Sequence, residues 1–560
     1  MARKSKRNGG QRDELKVVSL PVKVTMMPPS PVQRLFAEAL RAQQSGILDK
    51  AQKLCLELLK LDVKHAEGLH LLGLVLYQQG RADVAKSMFQ RAIAANGKVA
   101  AYYSNLGNAL HALERHEKAL EAYDRAIALQ SNEPNFHYNR ANTLRDLGQP
   151  EEARSAYEKA IKLNPDFAEA HCNLGGLLRG LGRLDDAEAH LRTGLRLKPD
   201  YSDATNNLAV TLQDQGRLAE SMECFKCAVR LNPNNYDMQY NKAMAHLLAG
   251  EFEKGWIQQE IRWKIFSAPR QMQKRQWFGE RLNGERVLLH HECGLGDTIQ
   301  FLRYVPLVAA RGGKVVMDMP AALSRLSKAL PGVEEVTVTG QQLPEFDLHS
   351  PMMSLGLAFK ANLENIPAAT PYLRVPEEAR EKVLNTVTWP LDGLRVGLVW
   401  SGNPKFSRDR FRSLHLNELC PVLRMEGVYF YSLQMGHGRS QLRSMQCEET
   451  IPHVTDLTPF IEDMADTAAL MENLDLIITV DTSVAHLAGA LGKPVWIMLP
   501  AAPDWRWLQE RSDSPWYPSM RLFRQEQLGD WAPVVQRVQH SLALCTGRAA
   551  ENSVASLAGK

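Results

Sequence analysis

The chain has 560 residues, of which 44% are hydrophobic and 23% charged, and its formal net charge is +4. That length predicts about three or four globular domains, and a charge so small for the length gives no basis for general nucleic-acid binding. The eight scattered cysteines are too sparse for a disulfide scaffold and suggest a reducing compartment.

Residues 1–16, MARKSKRNGGQRDELK, are basic and polar and open the tail expected over residues 1–31. No apolar stretch of about 7–15 residues follows, so they read as a disordered tail rather than a secretory signal. No run of about 18 uncharged apolar residues occurs, so no membrane span is expected and the expected location is cytoplasmic.

Residues 32–265 carry an internal period. Gly73, Gly107, Ala141, Gly175, Ala209 and Ala243 lie 34 residues apart. Gly80, Gly148, Gly182, Gly216 and Gly250 keep the same register, with Glu114 in the missing slot, and Pro165, Pro199 and Pro233 form a further series. Small residues at fixed points let paired helices approach closely, and glycine ends the first helix of each pair. The pattern resembles the tetratricopeptide repeat over about seven repeats. That resemblance implies a stacked superhelix whose groove holds a protein or peptide. Asn105, Asn108, Asn139, Asn142, Asn173, Asn206, Asn207 and Asn241 share nearly one repeat phase. They read as an asparagine ladder along the groove or, equally, as a solvated helix face. Cys224 and Cys227 form a lone CxxC inside a helix, which reads as incidental rather than as a zinc site.

Residues 266–285 read as a connector. From residue 286 strands and helices alternate, which implies doubly wound parallel sheets. A first unit spans 286–366, a linker 367–393, a second unit 394–545 and a tail 546–560. In the first unit, Gly294, Leu295, Gly296, Asp297 and Thr298 form a turn between a strand and a helix. The glycines permit close backbone approach to a ligand. Asp297 reads as a helix N-cap or as a general base. In the second unit, Lys405, Arg408, Arg410 and Arg412 crowd a loop after a strand, which suits a diphosphate or, alternatively, a solvated surface. Residues 474–500 then read as strand, turn, helix, strand. Asp481, Thr482 and Ser483 sit at the start of that helix, with His486 on the same side as Thr482. A helix N-terminus at the carboxyl end of a parallel strand favours a phosphate. Trp505, Trp507, Trp516 and Tyr517 read as core or interface aromatics more than as pocket lining. No Asp-x-Asp pair occurs. No metal site and no cofactor are therefore expected, and helix N-termini with Arg and Lys would neutralise a diphosphate.

GLGDTIQFLRYVP, VDTSVAHLAGALGKPVW and SPWYP together resemble glycosyltransferase family 9, the heptosyltransferases. The resemblance implies a GT-B fold and inverting, metal-independent sugar transfer. It implies that Asp297 is the base and that Asp481, Thr482, Ser483 and His486 bind the donor, with Gly294 and Gly296 in the first-loop motif. Lys405 or Arg412 would match the family's basic residue. Ser483 stands where the family has glycine. A repeat array before a GT-B region is also similar to the layout of protein O-linked N-acetylglucosamine transferases. The expected fold is thus an all-α tetratricopeptide repeat superhelix followed by an α/β GT-B region of two Rossmann-like units. The expected function is glycosyl transfer from a nucleotide-diphosphate sugar to a protein or saccharide. The array would recruit a protein partner or substrate, and neither nucleic acid nor a membrane span is expected to be involved. An interaction scaffold with an inactive transferase-like domain is the alternative, and a sugar-nucleotide epimerase a third reading.

Overall fold

A computed structural model describes residue 16 and residues 30–266, 272–384, 387–406, 408–447 and 454–557, with backbone alone at 447 and 547–557. The chain divides into two compact units. One holds residues 9–211 with 230–232, and the other holds 212–229 with 233–560.

The first unit is a ladder of helical hairpins. Their first helices begin at Pro31, Ala66, Ala100, Pro134, Ala168 and Ser202, so from Ala66 onward the start recurs every 34 residues. Two local rules set this repeat. At the hairpin turn, Gly46, Gly80, Gly148 and Gly182, and Gly216 and Gly250 where the repeat continues in the second unit, all take φ between 72 and 82°, which glycine adopts without steric cost. Glu114 fills the same slot at φ 58°, where a side chain is strained. At the helix crossing, a Cβ on Gly107 would lie 2.5 Å from the Tyr123 ring, so only glycine admits that tyrosine. The tail expected over residues 1–31 lies outside the described residues except for Lys16, Ser30 and Pro31.

In the second unit the last repeat helices, Tyr236–Leu248 and Phe252–Gln259, lead into two parallel sheets. The first sheet comprises β1 (Arg286–His290), β2 (Lys314–Met319), β3 (Val333–Val338) and β4 (Leu348–Pro351), in the order β3-β2-β1-β4. The second comprises β5 (Leu394–Val399), β6 (Val428–Ser432), β7 (Val454–Asp456), β8 (Leu476–Val480), β9 (Val495–Leu499) and β10 (Met520–Arg524), in the order β10-β9-β8-β5-β6-β7. All ladders within both sheets are parallel. β8 and β9 are buried at every position, as strands covered on both faces must be. The fold is therefore a tetratricopeptide helical array followed by an α/β region of GT-B type. The final helix, Ala532–Leu557, runs past the expected start of the tail at residue 546.

The last repeat is built into the α/β core rather than ending as a solvated cap. Leu247, Leu248, Phe252 and Trp256 share one buried cluster with Phe301, Trp505 and Trp516. The Trp256 indole donates to the Ala361 carbonyl at 2.7 Å. Arg262, 2% exposed, donates to both oxygens of the buried Glu292 at 2.8 and 3.1 Å and to Ser354 at 2.8 Å.

Candidate functional site

In doubly wound sheets, ligands bind beyond the carboxyl ends of the strands where the strand order reverses. In the second sheet that point lies between β5 and β8, and the loop after β5 carries the basic cluster while the turn after β8 carries Asp481, Thr482 and Ser483. In the first sheet, Gly294 to Thr298 follow β1, which lies between β2 and β4.

The helix after β8, Ser483–Ala490, starts at Thr482, whose extended backbone (φ −141°, ψ 171°) suits an N-cap. Its hydroxyl does not cap the helix but lies 3.2 Å from the Thr479 hydroxyl. The first-turn N–H groups are thus left uncapped by the Thr482 side chain, the condition for anion binding at a helix N-terminus. Asp481 is half-buried beside this turn. Burial, with Asp504 nearby, raises its carboxyl to about 6 against the pull of Arg412 and Arg506.

The two motifs meet across packed helices. A Cβ on Gly296 would lie 2.8 Å from the His486 ring and 3.5 Å from Ser483 Cα, so this glycine permits the close approach of the helices that follow β1 and β8. His486 is buried, stacks on Trp507 at 5.3 Å and lies 2.9 Å from the Tyr517 hydroxyl through Nδ1. Burial, helped by Arg506 and Arg303, keeps its imidazole neutral. Asp297 plays a capping part, accepting from the Gly294 N–H at 2.8 Å through Oδ2. Its other oxygen accepts from the Arg506 guanidinium.

Arg506 has no counterpart in the sequence reading. It lies on the short turn Trp505–Trp507, 6% exposed, and donates to Asp297, to the Gln300 side chain and to Asp504 at 2.7 Å. It also lies over the Trp505 ring at 4.4 Å. Arg303 is a second such residue. It is 3% exposed, donates to the Trp516 carbonyl at 2.6 Å and packs over Tyr517 at 4.5 Å. Trp505, Trp507, Trp516 and Tyr517 are themselves almost wholly buried, which makes them core aromatics.

The four cations of the β5 loop separate by role. The Lys405 side chain is exposed. Arg412 pairs with Asp409 at 2.9 Å, lies over Phe406 and is close enough to lower the Asp481 carboxyl. Arg408 pairs with Asp214 at 2.9 Å and donates to the Ala502 carbonyl at 3.1 Å. Arg410 lies over the Phe411 ring at 4.7 Å. Among the described residues no group of three His, Cys, Asp or Glu side chains could hold a metal ion.

This arrangement is that of a repeat-array protein ending in a glycosyltransferase-type α/β domain, and comparison with known proteins gives both parts their class. The family described as glycosyltransferase family 9 (heptosyltransferase) matches residues 404–499, and the tetratricopeptide repeat family matches residues 70–134, 138–202 and 206–255. The chain carries tetratricopeptide repeats and a C-terminal glycosyltransferase family 9 domain. The matched stretch contains most of the basic loop and the turn at Asp481, while Asp297 and Arg506 lie outside it. FlbA of Caulobacter vibrioides is 30% identical over 334 residues, which is 54% of this chain and 54% of FlbA. The chain thus spans about half the length of the curated relative it matches. Among solved structures, YrrB, a TPR protein with an unusual peptide-binding site, is 20% identical, with 34% of this chain and 97% of YrrB covered at a TM-score of 0.29. TTC0263 of Thermus thermophilus is 26% identical, with 32% and 99% covered at a TM-score of 0.29. In the second unit and the array alike, no described helix is long and apolar enough to cross a membrane.

Proposed function

We propose that the chain is a metal-independent GT-B glycosyltransferase. It would move a sugar from a nucleotide-diphosphate sugar to a protein or saccharide acceptor, with inversion, and its array would recruit the protein partner or substrate. One observation carries the reading: an uncapped helix N-terminus at the switch point of the second sheet faces the β5 loop and packs on the helix that bears Asp297. The free N–H groups of the turn at Thr482 and Ser483 would take the leaving diphosphate as its charge develops, with Lys405 and Arg412 as countercharges. His486 is neutral and fixed by Tyr517, so it would present a hydrogen bond rather than a charge. Asp297 would accept the proton of the attacking acceptor hydroxyl.

A second reading is favoured by the geometry of Asp297. Both its oxygens are engaged, by Arg506 and by the Gly294 N–H. Oxygens already engaged by a guanidinium and a backbone N–H are less open to an acceptor hydroxyl, which suits a scaffold whose transferase domain is inactive. Melting in the presence of a panel of nucleotide sugars decides between them. A donor at about 100 times its Kd should stabilise by about 2.7 kcal/mol. Stabilisation by one member of the panel, with transfer lost in Asp297→Ala, is the expected result. A panel without effect, or transfer unchanged by that substitution, would respectively overturn the donor site or the base.

A further inference from the structure

The carboxyl end of β10 carries a cationic cavity away from the turn at Thr482. The cavity, of about 770 Å³, lies between residues 510–512, residues 521–526 and the first turns of the final helix. β10 is the edge strand of its sheet, two places from β8, so the cavity stands apart from the switch point. Four arginines line it, Arg511, Arg521, Arg524 and Arg537, against two carboxylates, Glu510 and Glu526.

Two of the four arginines are paired. Arg511 donates to both oxygens of Asp513 at 2.8 and 2.7 Å, and Arg537 donates to Glu526 at 2.9 Å. Among the described residues neither Arg521 nor Arg524 has an ion pair. Arg521 is exposed and lies over the Phe523 ring at 4.7 Å. Arg524 gives Nε to the Arg511 carbonyl at 2.7 Å and Nη2 to the Trp507 carbonyl at 2.5 Å. Its Nη1 is buried and has no hydrogen-bond partner among the described residues. Burial, with Arg511 nearby, pushes this guanidinium down to about 10. A half-buried cation set against carbonyls alone lacks the countercharge that its desolvation calls for.

The next residue carries a second bare donor. Gln525 is 4% exposed, and its Oε1 accepts from the Gly529 N–H at 3.0 Å. Its Nε2 has no hydrogen-bond partner among the described residues. A buried donor left unsatisfied is costly, and here two stand side by side in the wall of one cavity. The ligand they call for is an anion rich in acceptors. A phosphoryl group has three acceptor oxygens, one each for Arg524, Gln525 and the exposed Arg521, whereas a carboxylate has two. The cavity exceeds what a bare phosphate fills and falls in the range of roughly 300–1,000 Å³ usual for small-molecule sites.

We propose that this cavity is a second ligand site, separate from the donor turn, and that it takes the phosphoryl group of a small phosphomonoester between Arg524, Gln525 and Arg521. The site does not depend on the transfer reaction.

Isothermal titration of the full chain with glucose 6-phosphate, inorganic phosphate and acetate tests it. Gln525→Glu keeps the acceptor for Gly529, removes the bare donor and sets a carboxylate beside Arg524. It should melt no lower than wild type and bind glucose 6-phosphate about tenfold more weakly, the loss of a hydrogen bond to a charged group. Arg521→Ala, at an exposed position that leaves the fold alone, should weaken binding about threefold. Ser483→Pro, confined to the donor turn, should leave it unchanged. Wild-type affinity in both Gln525→Glu and Arg521→Ala, loss of binding in Ser483→Pro, or no binding of glucose 6-phosphate overturns the site. Acetate bound as tightly as glucose 6-phosphate overturns the phosphoryl group, and inorganic phosphate bound as tightly overturns the phosphomonoester in favour of the free ion.

Discussion

Replacing Asp481 with asparagine should stabilise the α/β unit at neutral pH, and by an amount the structure sets. The carboxyl is raised from 3.8 to about 6 in the fold by burial and by Asp504. An acid with a raised folded value favours folding only while protonated. That contribution is fully present below about 3.8, declines as pH rises and is gone once pH passes about 6. At about pH 7.5 the ionised carboxylate therefore costs up to about 3 kcal/mol, since each tenfold change in proton affinity is worth about 1.4 kcal/mol. At about pH 5 the cost is about half as large. Asparagine keeps the shape and removes the charge. All ten tryptophans lie between residues 256 and 531, so their fluorescence reports urea unfolding of this unit without signal from residues 9–211. The expected result is a variant more stable than wild type by about 1–3 kcal/mol at about pH 7.5, with the gap narrowing towards about pH 5. A variant less stable than wild type at neutral pH, or a gap independent of pH, would refute the reasoning. The expected cost to function is weaker donor handling, since stability is commonly given up where a site holds a strained charge.

Glu114→Gly should stabilise the array by about 1 kcal/mol, because Glu114 holds φ 58° where the neighbouring repeats use glycine. Thermal melting followed by far-ultraviolet circular dichroism checks this, and a lower midpoint would count against it. Arg262→Ala should destabilise the second unit by about 3–5 kcal/mol, since it leaves the buried Glu292 carboxylate without its partner. Tryptophan-monitored urea unfolding reads the loss, and a change below about 1 kcal/mol would show that Glu292 finds another partner or a proton.

Much of the fold was legible because its signals are local and repeated. One glycine slot recurs every 34 residues, and its single exception, Glu114, takes the same left-handed conformation. The strand, turn and helix at residues 476–490 follow from a β-branched run meeting a polar turn and small residues. Asp297, Asp481 and Ser483 could be picked out for the same reason, each standing where a strand gives way to a helix. What escaped detection is long-range. Arg506 reaches Asp297 across 209 residues, and Arg303 reaches Trp516 across 213. A lone arginine beside aromatics carries no periodic signal, and only the folded chain shows that it is buried and what it holds. The continuation of the last helix to Leu557 was missed because composition there changes before the helix ends.

The central claim is that the N–H groups opening the helix at Ser483 bind a donor's diphosphate. Ser483→Pro tests it most directly. Proline at the first helical position removes one N–H without disturbing the helix, and the extended Thr482 backbone is the conformation that precedes proline comfortably. Isothermal titration with the nucleotide sugar that stabilises the wild-type chain should show affinity at least tenfold weaker in the variant. That is the loss of one hydrogen bond to a charged group, about 1.5–3 kcal/mol. Unchanged affinity, in a variant whose tryptophan-monitored melting matches wild type, would contradict the account.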